Sequence, residues 1–121
     1  MFYKCLTCGN IIYLINGNEN NLQCCGKSLT KLTANTNEAA IEKHIPQFIV
    51  ENNKIIVTVG EILHPMEENH YIMWIAMASG NDIEIYNLKP TDEPKTIFEF
   101  KKDATIYAYC NKHGLWKNEV K

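Results

Sequence analysis

The chain has 121 residues, 45% of them apolar and 21% charged, which are the proportions of an ordinary folded protein and not of a disordered or fibrous one. Its net charge of −2 is carried against cations that are all lysine. It therefore has neither a broad attraction to phosphate backbones nor the guanidinium forks that read guanine, and nucleic acid is not an expected partner. The longest apolar run, Tyr71 to Ala78, is far short of the roughly 20 residues a membrane helix needs, so no membrane partner is expected either.

The N-terminus, "MFYKCLTCGN", lacks the basic start and apolar stretch of a secretory signal, and the expected location is the cytoplasm. Thiols are kept reduced there, so five cysteines point to metal binding or catalysis before disulfides. The first segment, through Leu32, sets two cysteine clusters around a short apolar stretch, Ile11 to Ile15, and an Asn/Gly-rich turn, "NGNENN". It reads as a hairpin with cysteines at its ends. About 35 residues bury too little apolar surface to hold a fold unaided, so the cysteines are expected to supply the staple. Thr33 to Lys43 is polar and reads as linker and loop.

After it the pattern turns to strands. "KIIVTVG", "HYIMWIAMA", "DIEIYNL", "TIFEF" and "ATIYAYC" are rich in β-branched and aromatic residues, with turn signals such as "SGND" and "KPTDEP" between them. Their number and spacing suggest an all-β sandwich. Alternation in the last of them places Ala104, Ile106, Ala108 and Cys110 on one face, with Cys110 where the strand gives way to a loop.

Cys5 and Cys8 form a C-x2-C knuckle, "CLTCGN", in which two thiolates can converge on one metal. Cys24 and Cys25 in "QCCGK" are adjacent, and neighbouring side chains on an extended chain point apart. They can share a metal only if the backbone turns sharply there, which Gly26 assists. Four thiolates suit zinc and iron equally, and the spacing does not choose between them.

The remaining soft or borderline donors are His44 in "EKHIP", His64 and His70 in "HPMEENHYIMWI", and Cys110 and His113 in "YCNKHGLW". Each falls at a strand end or loop, where a sandwich can gather them at one end. Three readings of Cys110 stand side by side: a metal ligand, a nucleophile activated by His113, or half of a disulfide. The nucleophile leaves three histidines without a role, and the disulfide would take a cysteine from the N-terminal four.

These motifs, in order and spacing over nearly the whole chain, closely resemble the two-iron superoxide reductases, the desulfoferrodoxins. "YKCLTCGNIIYL" and "LQCCGK" are similar to the desulforedoxin-type module. "EKHIP", "VTVGEILHPMEENHYIMWI", "LKPTDEP" and "YCNKHGLW" are similar to the catalytic module. The resemblance implies a small desulforedoxin-like module over residues 1–36 and an immunoglobulin-like β-sandwich or barrel over 37–121.

It further implies two iron ions. One is an FeCys4 centre on Cys5, Cys8, Cys24 and Cys25. The other is a catalytic iron with four equatorial imidazoles, from His44, His64, His70 and His113, and an axial thiolate from Cys110. Lys43 would steer superoxide and order water, and Glu42 would bind the ferric iron after product leaves. The implied reaction reduces superoxide to hydrogen peroxide, with rubredoxin or a similar small carrier as electron donor, in a homodimer. Competing readings are an electron carrier or redox sensor using the same irons, and a zinc-ribbon binding module whose sandwich docks a partner.

Overall fold

The computed structural model describes residues 1–36, 44–60 and 65–121. It is all-β and divides into two compact units, Met1–Thr33 and Ala34–Lys121. No helix among the described residues is long and apolar enough to cross a membrane.

The first unit contains β1 (Phe2–Lys4), β2 (Ile11–Tyr13), β3 (Gln23–Cys24), β4 (Lys27–Ser28) and β5 (Thr30–Lys31). β1 lies between β2 and β5, antiparallel to both, and β3 and β4 form a separate hairpin. Only Phe2, Tyr3 and Cys5 of this unit are buried, too small a core to hold a fold by itself. The sequence suggested one hairpin with cysteines at its ends. There are two hairpins instead, and the cysteines sit in and beside their turns.

The second unit contains β6 (Pro46–Glu51), β7 (Lys54–Val59), β8 (Ile72–Ser79), β9 (Asp82–Asn87), β10 (Lys95–Glu99), β11 (Thr105–Cys110) and β12 (Gly114–Glu119). Among the described residues the strands pair antiparallel, in one sheet of order β10-β7-β6 and another of order β12-β11-β8-β9. The two form a sandwich. Ile55, Val57 and Val59 from β7, Ile72, Ile75 and Met77 from β8, and Ala104, Ile106, Ala108 and Cys110 from the β11 segment build its core.

Period-two patterning explains most of this. β7 buries Ile55, Val57 and Val59 and turns Lys54, Ile56 and Thr58 outward. The β6–β7 turn, Asn52–Asn53, has φ of +52° and +62°, the left-handed pair that a two-residue hairpin loop needs and that asparagine tolerates. The edge strands β6 and β12 carry weaker strand signals, and their pairing with β7 and β11 makes them strands. Pro46 stands at the first residue of its edge strand, where a missing N–H is tolerated.

Candidate metal centres

The first cysteine pair occupies the β1–β2 turn. Gly9 N–H donates to the Cys5 carbonyl at 2.8 Å and Cys5 N–H to the Asn10 carbonyl at 2.8 Å, closing the knuckle. Gly9 has φ of +82°, a conformation that a side chain would strain. The second pair is accommodated by a two-residue hairpin: Cys24 is the last residue of β3, paired with Lys27, and Cys25–Gly26 is the loop. Both loop residues have positive φ, +54° and +75°, the signature of a type I′ turn. Placing Cys25 in that left-handed position is what lets two adjacent cysteines face one point.

The four sulfurs lie within 4.8 Å of one another, with Cys8 and Cys24 3.5 Å apart and Cys24 and Cys25 3.9 Å apart. Metal–sulfur bonds of about 2.3 Å place the corners of a tetrahedron roughly 3.8 Å apart, so the set fits one tetrahedral metal. Its electrostatics agree. The Cys8 backbone N–H lowers Cys5 to about 6, with the Cys24 thiol assisting, while the thiols of Cys5 and then Cys8 push Cys24 up to about 12. Four thiolates this close repel unless a cation lies among them. Nearby, the Tyr3 hydroxyl donates to Glu19, which Lys31 also approaches at 3.7 Å. That bond, and then Lys31, hold the Glu19 carboxyl below its ordinary value.

The second centre is assembled at one end of the sandwich. His44 immediately precedes the Ile45–Pro46 entry to β6 and is 1% exposed. Its neighbourhood is tied to β12 by Asn118, which donates to the Pro46 carbonyl at 3.0 Å, and by Asn35, which pairs with Trp116. His70 closes a tight turn in which Glu67 and His70 exchange backbone hydrogen bonds of 2.9 and 3.0 Å, and its Nε2 is buried. Cys110 ends β11 beside a bulge: Tyr109 pairs with Trp74 but Cys110 pairs with Ile72, skipping Met73. His113 lies in the three-residue β11–β12 loop, followed by Gly114 at φ of +83°.

Ligand atoms of His44, His70, Cys110 and His113 lie within 4.8 Å of one another. His44 Nε2 stands 3.0 Å from His113 Nδ1, the separation of two nitrogens at right angles around a metal at about 2.1 Å. Cys110 Sγ is 3.9 Å from His113 Nδ1. His44 and Cys110 are buried and His113 is exposed. Imidazole nitrogens and a thiol sulfur suit a redox-active transition metal such as iron.

Of the residues expected from the sequence, Cys5, Cys8, Cys24 and Cys25 converge on one point, and His44, His70, Cys110 and His113 converge on another. His64, Lys43 and Glu42 lie outside the described residues. Sequence reasoning passed over Asn111 and Trp116, both within the "YCNKHGLW" motif. Trp116 stacks on His44 and donates from Nε1 to the His113 carbonyl at 3.0 Å. Its place two residues after a glycine that starts an edge strand was the available signal.

A four-thiolate site and a histidine–cysteine site on an all-β chain define a two-centre metalloprotein. The desulfoferrodoxin family profile matches residues 36–119. The chain is 42% identical to a desulfoferrodoxin homolog of Archaeoglobus fulgidus over 96% of its length and 94% of that protein. It is equally identical, 42%, to the desulfoferrodoxin of Syntrophotalea carbinolica over 97% of its length and 94% of that protein. The superoxide reductase of Treponema pallidum has a similar structure, with a TM-score of 0.75 at 26% identity, covering 97% of this chain and 94% of that one. The chain belongs to the desulfoferrodoxin family, and its two donor sets fit that family's two irons.

Proposed function

We propose that the protein is a cytoplasmic superoxide reductase. It converts superoxide, one electron and two protons to hydrogen peroxide, forms no dioxygen, and protects the cell against oxidative stress. The observation that carries this reading is the convergence of His44, His70 and His113 with Cys110, in a chain similar over nearly its full length to the Treponema pallidum superoxide reductase. The catalytic iron would be held by these four and His64, in a domain of residues 37–121. A second iron would be held by Cys5, Cys8, Cys24 and Cys25, in a domain of residues 1–36.

Bound iron supplies a one-electron couple, and thiolate ligation directs electron density away from the sulfur. Cys110 keeps that sulfur fully buried, where neither solvent nor oxidant reaches it readily. Neutral imidazoles leave the thiolate as the only anionic member among the described ligands, and the buried His44 is held by the Trp116 ring. His113 is the exposed member of the set, and a small anion and protons from water would approach from its side. Lys43 is proposed to steer the anion on a protein that is negative overall, an attraction that fades with salt. Glu42 is proposed to bind the oxidised iron after product leaves. A small carrier such as rubredoxin would return the electron.

The test mixes superoxide with the reduced protein and counts peroxide. A reductase gives one peroxide for each superoxide consumed, twice the yield of dismutation. A yield no higher than spontaneous dismutation would reject it.

The protein is also proposed to be a homodimer. Supporting this, Ile97, Ile56 and Ile49 are paired in register across β10, β7 and β6 on the outward face, with Ile97 59% and Ile49 57% exposed. Such an apolar stripe between polar rows has the anatomy of an interface.

A further inference from the structure

We propose that Asn111 is a positioning residue for the histidine–cysteine centre, fixing His70 relative to Cys110. Asn111 follows Cys110 directly in the chain, and its hydrogen bonds among the described residues go to the two residues flanking His70. Its backbone N–H donates to the Tyr71 carbonyl at 3.2 Å. Its side-chain Oδ1 accepts from the Tyr71 N–H at 2.9 Å, and its Nδ2 donates to the Asn69 carbonyl at 3.2 Å. One residue thus brackets His70 from both sides.

The bracket stands where the sheet can no longer do this work. The β8–β11 ladder is interrupted by the bulge at Met73, and Tyr71 lies just outside β8. Asn111 adds one more rung, in which its backbone N–H meets the Tyr71 carbonyl and its side-chain oxygen takes the place of a backbone carbonyl toward the Tyr71 N–H. The orientation of the amide is set by its partners, since a backbone N–H must meet its oxygen and a carbonyl must meet its nitrogen. Only a short side chain with an acceptor and a donor on one carbon satisfies both. Aspartate would face the Asn69 carbonyl with a second acceptor, and alanine would make neither bond.

On its other side His70 is held by the backbone exchange with Glu67. The Asn111 bracket therefore joins two ligand-bearing segments that are distant in sequence. Ligand supports of this kind typically contribute about 10–100-fold to metal affinity.

The proposal rests on reading this cluster as a metal centre, and its test does not use turnover. Asn111→Asp and Asn111→Ala would be made in the full chain, loaded with iron, and challenged with a graded chelator. The thiolate absorption and iron content of each centre would be followed, the four-thiolate centre serving as an internal reference in the same molecule. Thermal unfolding of the metal-free variants would be measured in parallel. Both variants are expected to release iron from the histidine–cysteine centre at roughly tenfold lower chelator or less, with a shifted thiolate band and an unchanged reference centre.

Wild-type retention and absorption in Asn111→Asp would overturn the proposal. So would equal weakening of both centres in step with a lower unfolding temperature, which is what a purely structural role produces. Absence of peroxide formation in the wild-type protein would reject the reductase reading and leave the affinity comparison intact.

Discussion

The indole of Trp116 lies on the imidazole of His44, with ring centroids 4.8 Å apart and planes inclined by 16°, while its N–H donates to the His113 carbonyl. One aromatic side chain thus supports two members of the centre in different ways, and the two can be separated. Trp116→Phe keeps a ring against His44 and removes the hydrogen bond, at a cost of about 0.5–1.5 kcal/mol. Trp116→Ala removes both and leaves a cavity, at about 3–5 kcal/mol. Thermal unfolding should rank the two in that order. Iron retention should fall clearly only in the alanine variant.

Gly26 is required by conformation and not by space. A Cβ there would meet nothing within 4 Å, yet φ is +75°. Gly26→Ala should therefore cost about 1–2 kcal/mol through left-handed strain alone. Because the strain falls in the loop that aims Cys25, it should also weaken the four-thiolate centre. The check is chelator competition, in which the histidine–cysteine centre should behave as in the wild type.

Glu19 gives the first unit a defined acid dependence. Its folded carboxyl is held below its ordinary value by Tyr3 and then Lys31, so the contribution is full above the unfolded pKa of about 4.3 and disappears as pH falls through the folded value. Glu19→Gln should lower stability near neutrality, where the contribution is full, and flatten this part of the acid limb, so that variant and wild type converge at low pH. Following unfolding of wild type and variant over the same acid series isolates the difference from protonation of the thiolates, which both share.

Cys110 can be tested for its two proposed duties, holding iron and supplying electron density. Cys110→Ser replaces a sulfur that is fully buried among Ala108, Ile72 and other core residues. If holding dominates, iron at that centre should fall while the four-thiolate centre stays filled. If electron density dominates, iron should remain, with the thiolate band lost and the rate of peroxide formation reduced about tenfold or more. Iron content and the rate of peroxide formation measured on one preparation divide the two.

Much of this was legible because the chemistry is written in residue types. Cys5, Cys8, Cys24 and Cys25 advertise a thiolate site, and β7 declares its buried face by strict alternation. What was not legible depends on pairing. β6 and β12 are strands because β7 and β11 hold them. The turn that reconciles Cys24 with Cys25 needed the φ of Cys25, which no propensity announces for cysteine. Asn111 carries no signal of its own in the sequence, because its partners at Asn69 and Tyr71 are some 40 residues away.

The outward face of the β10-β7-β6 sheet makes its own prediction about assembly. The isoleucine row is flanked by Lys95, Thr58 and Gln47 on one side and by Glu99, Lys54 and Glu51 on the other. Two copies can meet there by a two-fold axis along the row or along the strands. The first lays Lys95 over Glu99 of the second copy, twice; the second lays Glu99 over Glu51 of the second copy, like charge on like. Charge therefore selects the first. Ile97→Lys, at the apolar centre, should weaken association by at least about tenfold. Lys95→Glu should weaken it through the rim by about 0.2–1 kcal/mol for each pair, and adding Glu99→Lys should restore it. Sedimentation equilibrium reads all three. Dimer mass retained in Ile97→Lys would place the contact on another surface, and failure of the charge exchange to restore association would reject this orientation of the axis.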